Sequence, residues 1–188
     1  MNLNNKYYLL RHGEAISNTK NIISSWPEKF RNYLTGKGKE QINISAKNLK
    51  NKNISLILAS DLLRTKQTAE IVGGVLKIRP KFDKRLREID FGNLNGRPSE
   101  ELLYLGFEKK RFKHSIKNSE TYEDVLKRVA DFLGDIDKKY KDKIILIISH
   151  QCPLWILENK VKGFSLAEGL KGNPDEKRIG RGELKELN

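Results

Sequence analysis

The chain has 188 residues, of which 37% are hydrophobic and 32% charged, with a formal net charge of +13 at pH 7. That length predicts a single domain over residues 1–188, large enough to bury a core, with the composition of a charge-rich globule. The apolar runs are too short to span a bilayer or to form the apolar region of a signal peptide, and the single cysteine, Cys152, excludes an internal disulfide framework and offers no paired metal ligands.

In chain order, the first strand is expected over Lys6–Leu10, followed by a long loop through Asn18, Ser24, Ser25, Trp26 and Pro27. Helical periodicity runs from about Gly38 to Leu49, with Ile42, Ala46 and Leu49 on one stripe. Ile54–Ala59 reads as a buried strand, Leu62–Leu76 as a helix and Lys77–Phe82 as a short strand. Arg85 to Ser119 is irregular, punctuated by Gly92, Gly96 and Pro98. Thr121 opens a helix with Asp124 three residues on, a capping-box pattern, and turns Val125, Val129, Phe132 and Ile136 inward. Lys143–Ser149 is the most apolar strand, and Pro153 starts another helix. The polar tail, residues 171–188, is either loose or an edge hairpin, with two short strands around a glycine turn at 178–184. This alternation predicts an α/β fold: a three-layer sandwich with a mostly parallel central sheet and helices on both faces.

Two of the strands end in a histidine. Arg11-His12-Gly13-Glu14 follows Tyr7–Leu10, and His150 follows Ile144–Ser149. Ligands bind at the carboxyl ends of parallel strands, so residues distant in sequence can share one pocket there. An imidazole beside a guanidinium in that place points to chemistry on phosphate. Arg64 opens the helix after the second core strand, which sets it on the same edge.

The ordered motifs resemble the histidine phosphatase superfamily, whose fold is shared with cofactor-dependent phosphoglycerate mutases. The resemblance covers roughly residues 6–165. It rests on Arg11-His12-Gly13-Glu14 with Asn18, on Leu34-Thr35 with Gly38 and Gln41, and on Arg64-Thr65 with Gln67-Thr68-Ala69. Leu86 and Glu88 with Gly92 and Gly96, Glu120-Thr121 with Arg128-Val129, and His150 complete it. It implies that His12 attacks phosphorus, with a backbone carbonyl fixing its tautomer. It further implies that Arg11, Arg64 and His150 surround the phosphoryl oxygens, that Asn18 adds a neutral hydrogen bond, and that Glu88 is the general acid and base, with Asp90 as the runner-up. Three positions depart from the family pattern: Gln151 stands where glycine is common, and Leu94 and Asn95 stand where Trp and Glu are common.

The expected activity is metal-independent hydrolysis of phosphate monoesters through a phosphohistidine, without a cofactor, in the cytoplasm. The expected partner is a small phosphorylated substrate, with no membrane. The rivals are phosphoglycerate mutase-type transfer and a non-catalytic basic module holding nucleic acid or an acidic protein. The net charge fits an anionic partner, but many lysines lie among Asn and Glu in predicted helices, which favours solvated faces. Phe107 to His114 interleaves aromatics with cations and reads as a lid over the pocket, a solvated helix face or a nucleic-acid contact, with His114 on the surface or in that lid. Cys152 is expected to be packing, because the position where a cysteine phosphatase loop needs arginine holds Glu158.

Overall fold

The structure, a computed structural model, describes residues 2–104, 116–172 and 178–188. Five strands, β1 (Lys6–Arg11), β2 (Leu56–Ala59), β3 (Lys81–Phe82), β4 (Ile144–Ser149) and β5 (Leu184–Glu186), form one sheet in the order β3-β2-β4-β1-β5. All neighbours are parallel except β1 and β5. The described helices are α1 (Ile16–Thr19), α2 (Gly36–Leu49), α3 (Leu63–Leu76), α4 (Glu100–Tyr104), α5 (Tyr122–Lys139), α6 (Gln151–Lys162) and α7 (Leu166–Gly172).

Strand side chains alternate between the two faces of a sheet, and here the alternation divides the core in two. Tyr7 and Leu9 of β1, Leu56 and Leu58 of β2, and Ile145 and Ile147 of β4 pack with α5 and α6. Tyr8 and Leu10, Ile57 and Ala59, and Leu146 and Ile148 pack with α2 and α3. Both faces are covered, which is why these strands read as nearly continuous apolar runs. The expected three-layer α/β architecture is the one observed.

Local chemistry explains the element ends. Thr35 caps α2 by accepting from the Gly38 amide at 3.0 Å. Thr121 and Asp124 form the reciprocal capping box of α5. Val125, Val129, Phe132 and Leu133 of that helix are buried, each worth about 1.5–3 kcal/mol of hydrophobic transfer. Ile136 is partly buried against the same cluster.

Four expectations shift. The third strand is only Lys81–Phe82, because Lys77 takes a left-handed conformation that closes α3 and so cannot extend. Helix α6 begins at Gln151 rather than Pro153; His150 is its cap residue, and Pro153 sits in the first turn, where an amide has no helical partner to lose. The irregular stretch from Arg85 contains two 3₁₀ turns, Lys84–Leu86 and Gly92–Leu94, before α4. Residues 184–186 form one antiparallel strand on β1, so the described end of the tail is neither loose nor a hairpin of two strands.

Candidate active site

Strand register brings the site together. Arg11 pairs with Ser149 across β1 and β4, and Ala59 of β2 pairs with Ile148. The residues that follow, His12, His150 and Ser60, therefore leave the sheet side by side at its carboxyl edge. The His12 amide continues the ladder to the Ser149 carbonyl at 3.1 Å, and the Ser60 amide to the Ile148 carbonyl at 3.0 Å. The two imidazoles meet edge to face, with centroids 5.1 Å apart.

His12 is buried, and its Nδ1 lies 2.7 Å from the Gly13 carbonyl oxygen. A carbonyl only accepts, so Nδ1 carries the proton and Nε2 presents a lone pair. The Nε–H of Arg64 donates to that Nε2 at 3.2 Å. Desolvation, then the charges of Arg64 and Arg11, push the His12 pKa well below its ordinary value, so the ring is neutral at neutral pH. His12 thus presents an unprotonated ring nitrogen against the Arg64 guanidinium, an arrangement suited to nucleophilic attack.

Arg64 is buried in the first turn of α3. Its other nitrogens donate to the Ser24 carbonyl at 3.1 Å and the Ser24 hydroxyl at 3.4 Å, and Glu28 lies 3.7 Å away. Glu28 also accepts from the Leu63 amide at 3.1 Å, supplying the cap that Leu62 cannot. Arg11 donates from Nη1 to the Ile179 carbonyl at 3.1 Å. His150 is fully buried; its Nε2 lies 2.9 Å from the Ser60 hydroxyl, while its Nδ1 has no hydrogen-bond partner among the described residues. Desolvation and then Arg64, His12 and Arg11 hold the His150 pKa low as well.

Asn18 is half-buried, and its Oδ1 accepts from the Ala15 amide at 2.9 Å. Its visible work is to shape the loop after His12. The motif glutamines do similar work: Gln41 accepts from the Glu14 amide at 2.9 Å and Gln67 from the Leu34 amide at 2.8 Å.

Glu88 stands close enough for its charge to act on Arg64. Desolvation raises its pKa, opposed by Arg64, the Ile89 amide and Arg11, so the same environment that buries the carboxyl favours its protonated form. Asp90 instead accepts from the Gly92 amide at 2.8 Å and shapes the loop. Glu120 and Arg128 brace that loop: Glu120 accepts from the Asp90 amide at 2.9 Å, and Arg128 bonds both Glu120 oxygens and the Arg85 carbonyl. A cavity of about 210 Å³ opens beside Glu88, walled by Trp26, Lys84, Arg87, Asp90, Glu120 and Arg128. Arg87 lies 3.6 Å over the Trp26 ring and forks onto Asp61. His12, Arg11, Arg64 and His150 are not among those walls, and Glu88 is the candidate site residue that lines the cavity.

Asn95, one of the departures from the family pattern, is a tether: it accepts from the Ser25 amide at 3.0 Å and donates to the Pro27 carbonyl at 2.7 Å. Cys152 is buried in the core cluster under α6, as packing requires. Among the described residues, no group of three His, Cys, Asp or Glu side chains is placed to hold a metal ion, and no helix is long and apolar enough to cross a membrane. The stretch 107–114, including His114, lies outside the described residues. Sequence reasoning missed Ser24, Glu28, Ser60 and Arg181. Ser60 carried a signal, since it ends a core strand on the same edge as both histidines. Arg181 carried only its place between two glycines.

The sequence profile of the histidine phosphatase superfamily (branch 1) matches residues 7–179. The chain is 32% identical over 166 residues to the probable phosphoglycerate mutase GpmB of Enterobacter sp. (strain 638), covering 83% of this chain and 74% of that protein. It is 36% identical over 95 residues to the GpmB protein of Yersinia enterocolitica serotype O:8 / biotype 1B, a match that spans half of this chain and 43% of that relative. Among solved structures, Bacillus stearothermophilus YhfR superposes with a TM-score of 0.82 at 25% identity, covering 96% of this chain and 89% of that one. The alpha-ribazole phosphatase from Shigella flexneri gives a TM-score of 0.80 at 25% identity, covering 95% and 88%. With the profile spanning both strand-end histidines, and the sheet that aligns them shared with these structures, the chain belongs to branch 1 of the histidine phosphatase superfamily.

Proposed function

We propose that this protein is a phosphatase that hydrolyses phosphate monoesters through a phosphohistidine on His12, without a metal ion. The observation that carries the reading is the His12 tautomer: Nδ1–H is held by the Gly13 carbonyl at 2.7 Å, which leaves Nε2 unprotonated beside Arg64. In the first step Nε2 bonds to phosphorus and the bond to the leaving oxygen breaks, while the Glu88 carboxyl gives that oxygen its proton. In the second step water loses a proton to the Glu88 carboxylate and attacks phosphorus. The P–N bond breaks, inorganic phosphate leaves and the imidazole is regenerated. Arg11, Arg64 and the Nδ1 of His150 face the spreading negative charge, and such preorganised donors are the main source of rate in phosphoryl transfer. Asn18 contributes by holding the loop and, through its amide, by hydrogen bonding to the phosphoryl group.

The test is phosphate release from sugar phosphates, nucleotides, phosphoglycerates and phosphopeptides, with His12→Ala as control. The variant should lose at least about 10³-fold, because removing one member of a concerted set forfeits nearly the whole effect. Equal rates in variant and parent would refute the mechanism.

A second reading, phosphoglycerate mutase-type transfer, is favoured by the GpmB relatives. It predicts return of the phosphoryl group to 2- or 3-phosphoglycerate in place of free phosphate. The non-catalytic alternative, a basic module for nucleic acid, predicts a salt-sensitive RNA shift that survives His12→Ala.

A further inference from the structure

The residues around His12 hold more positive charge than one phosphoryl group needs. Arg64 is buried and committed to His12 and Ser24, and Arg11 is anchored on the Ile179 carbonyl. Two guanidiniums already match a phosphate dianion. A third, Arg181, stands at the same sheet edge and differs from both in being exposed.

Its position is built, not incidental. The Gly182 amide donates to both the Arg11 and His12 carbonyls at 3.1 Å, so the turn at 180–183 is seated on the backbone of the nucleophile. Glu183 accepts from the Gly180 amide at 2.6 Å, and the Ser45 hydroxyl donates to the Gly182 carbonyl. Gly182 has φ +71° and a Cβ there would meet Gln41 at 2.8 Å, so glycine lets the turn pack tightly against α2. Strand β5 then continues from this turn along β1. The turn is thus clamped from three sides with Arg181 at its tip. The Arg181 charge reaches His12, where it adds to the forces keeping the imidazole neutral. Among the described residues Arg181 has no ion-pair or hydrogen-bond partner.

We propose that Arg181 is a rim cation that recognises a second anionic group on the substrate, a carboxylate or a further phosphate, and so selects monoesters of anionic metabolites. The inference rests on the phosphatase reading above. A solvent-facing guanidinium with an open fork suits a group that arrives with the leaving group, since it binds oxygen pairs in a fixed planar geometry.

Two pairs of compounds test it. The first is 3-phosphoglycerate against glycerol 3-phosphate, which differ at one carboxylate. The second is propane-1,3-diol bisphosphate against its monophosphate. In Arg181→Gln the ratio of kcat/KM within a pair should fall about 10- to 100-fold, the usual worth of a charge-assisted hydrogen bond, and mainly through KM. Arg181→Lys should recover part of it. A fall in the first pair alone identifies a carboxylate site, a fall in the second alone a phosphate site, and a fall in both a general anion site. A ratio that moves by less than about threefold in both pairs, well below the expected charge-assisted effect, overturns the proposal whatever happens to the absolute rates. If the parent protein releases phosphate from none of the four, the phosphatase reading is judged on the wider substrate screen above. Calorimetric binding of the same pairs to parent and Arg181→Gln then decides the role of Arg181 by the same ratio.

Discussion

His150 Nδ1 is buried without a partner among the described residues, while its Nε2 meets the Ser60 hydroxyl at 2.9 Å. The Leu62 amide donates to that hydroxyl at 3.4 Å, and the Ser60 O–H keeps its own proton to donate to Nε2 as well as a second lone pair to accept from it. A neutral imidazole accepting at Nε2 carries its proton on Nδ1, where it can donate to a phosphoryl oxygen. We infer that the Ser60 O–H donates to Nε2, which makes Ser60 a positioning residue for the His150 tautomer. Ser60→Ala should lower kcat/KM about 10-fold or more and change the ¹⁵N shifts of His150, and Ser60→Thr should restore both. Unchanged shifts would contradict this assignment. In the proposed mechanism Glu88 sets the pH dependence. It must be protonated to act as an acid, and burial raises its pKa above 4.5, so kcat should fall as pH rises through that raised value. His12 titrates well below 6.5, so no loss is expected near pH 6.5 from the nucleophile. Glu88→Gln should remove the alkaline limb and cost about 10²–10⁴-fold, the range for general acid catalysis.

Among the elements, α2 holds the nucleophile loop by direct backbone contact. A Cβ on Gly38 would stand 2.0 Å from the Glu14 carbonyl, and one on Gly13 would stand 2.4 Å from the Gly38 carbonyl. Neither neighbour is a flexible side chain that can step aside. Gly38→Ala should therefore destabilise by about 1–3 kcal/mol, the usual cost of overpacking, and lower kcat by moving His12. Gly36, two residues earlier in the same helix, meets nothing within 4 Å, so Gly36→Ala is the control that keeps both. Denaturation midpoints and initial rates of the two variants decide the matter; equal behaviour would show that the contact is slack. The motifs were legible here for a physical reason. The glycines, glutamines and Glu120–Arg128 pair that mark the family are the groups that fasten loops to the strand ends. The role of Asn95 was not legible, because its bonds go to Ser25 and Pro27, far away in sequence.

For the molecule as a whole, two imidazoles buried neutral next to cations tie stability to pH. Both folded pKa values lie well below 6.5, the unfolded value. Below pH 6.5 the unfolded chain binds protons that the folded one refuses, so stability is full above that pH and is lost as pH falls towards the folded values. Melting temperature should drop on that acid side, and His150→Asn should flatten the drop. A profile that the substitution leaves unaltered would show that other groups govern it.

The sequence by itself determined the layers, because apolar periodicity is a local property and each element's period reports how many of its faces are covered. It also marked Arg11, His12, Arg64 and His150 as one set, since strand ends in a parallel sheet share an edge, while Glu88 joined them through the family resemblance alone. Only the tertiary structure decided which atoms face each other. Strand order and register set Ser60 against His150, and a turn 169 residues beyond His12 in the chain brings Arg181 to the site's rim. Those contacts depend on pairing between distant segments, and no local pattern encodes such pairing.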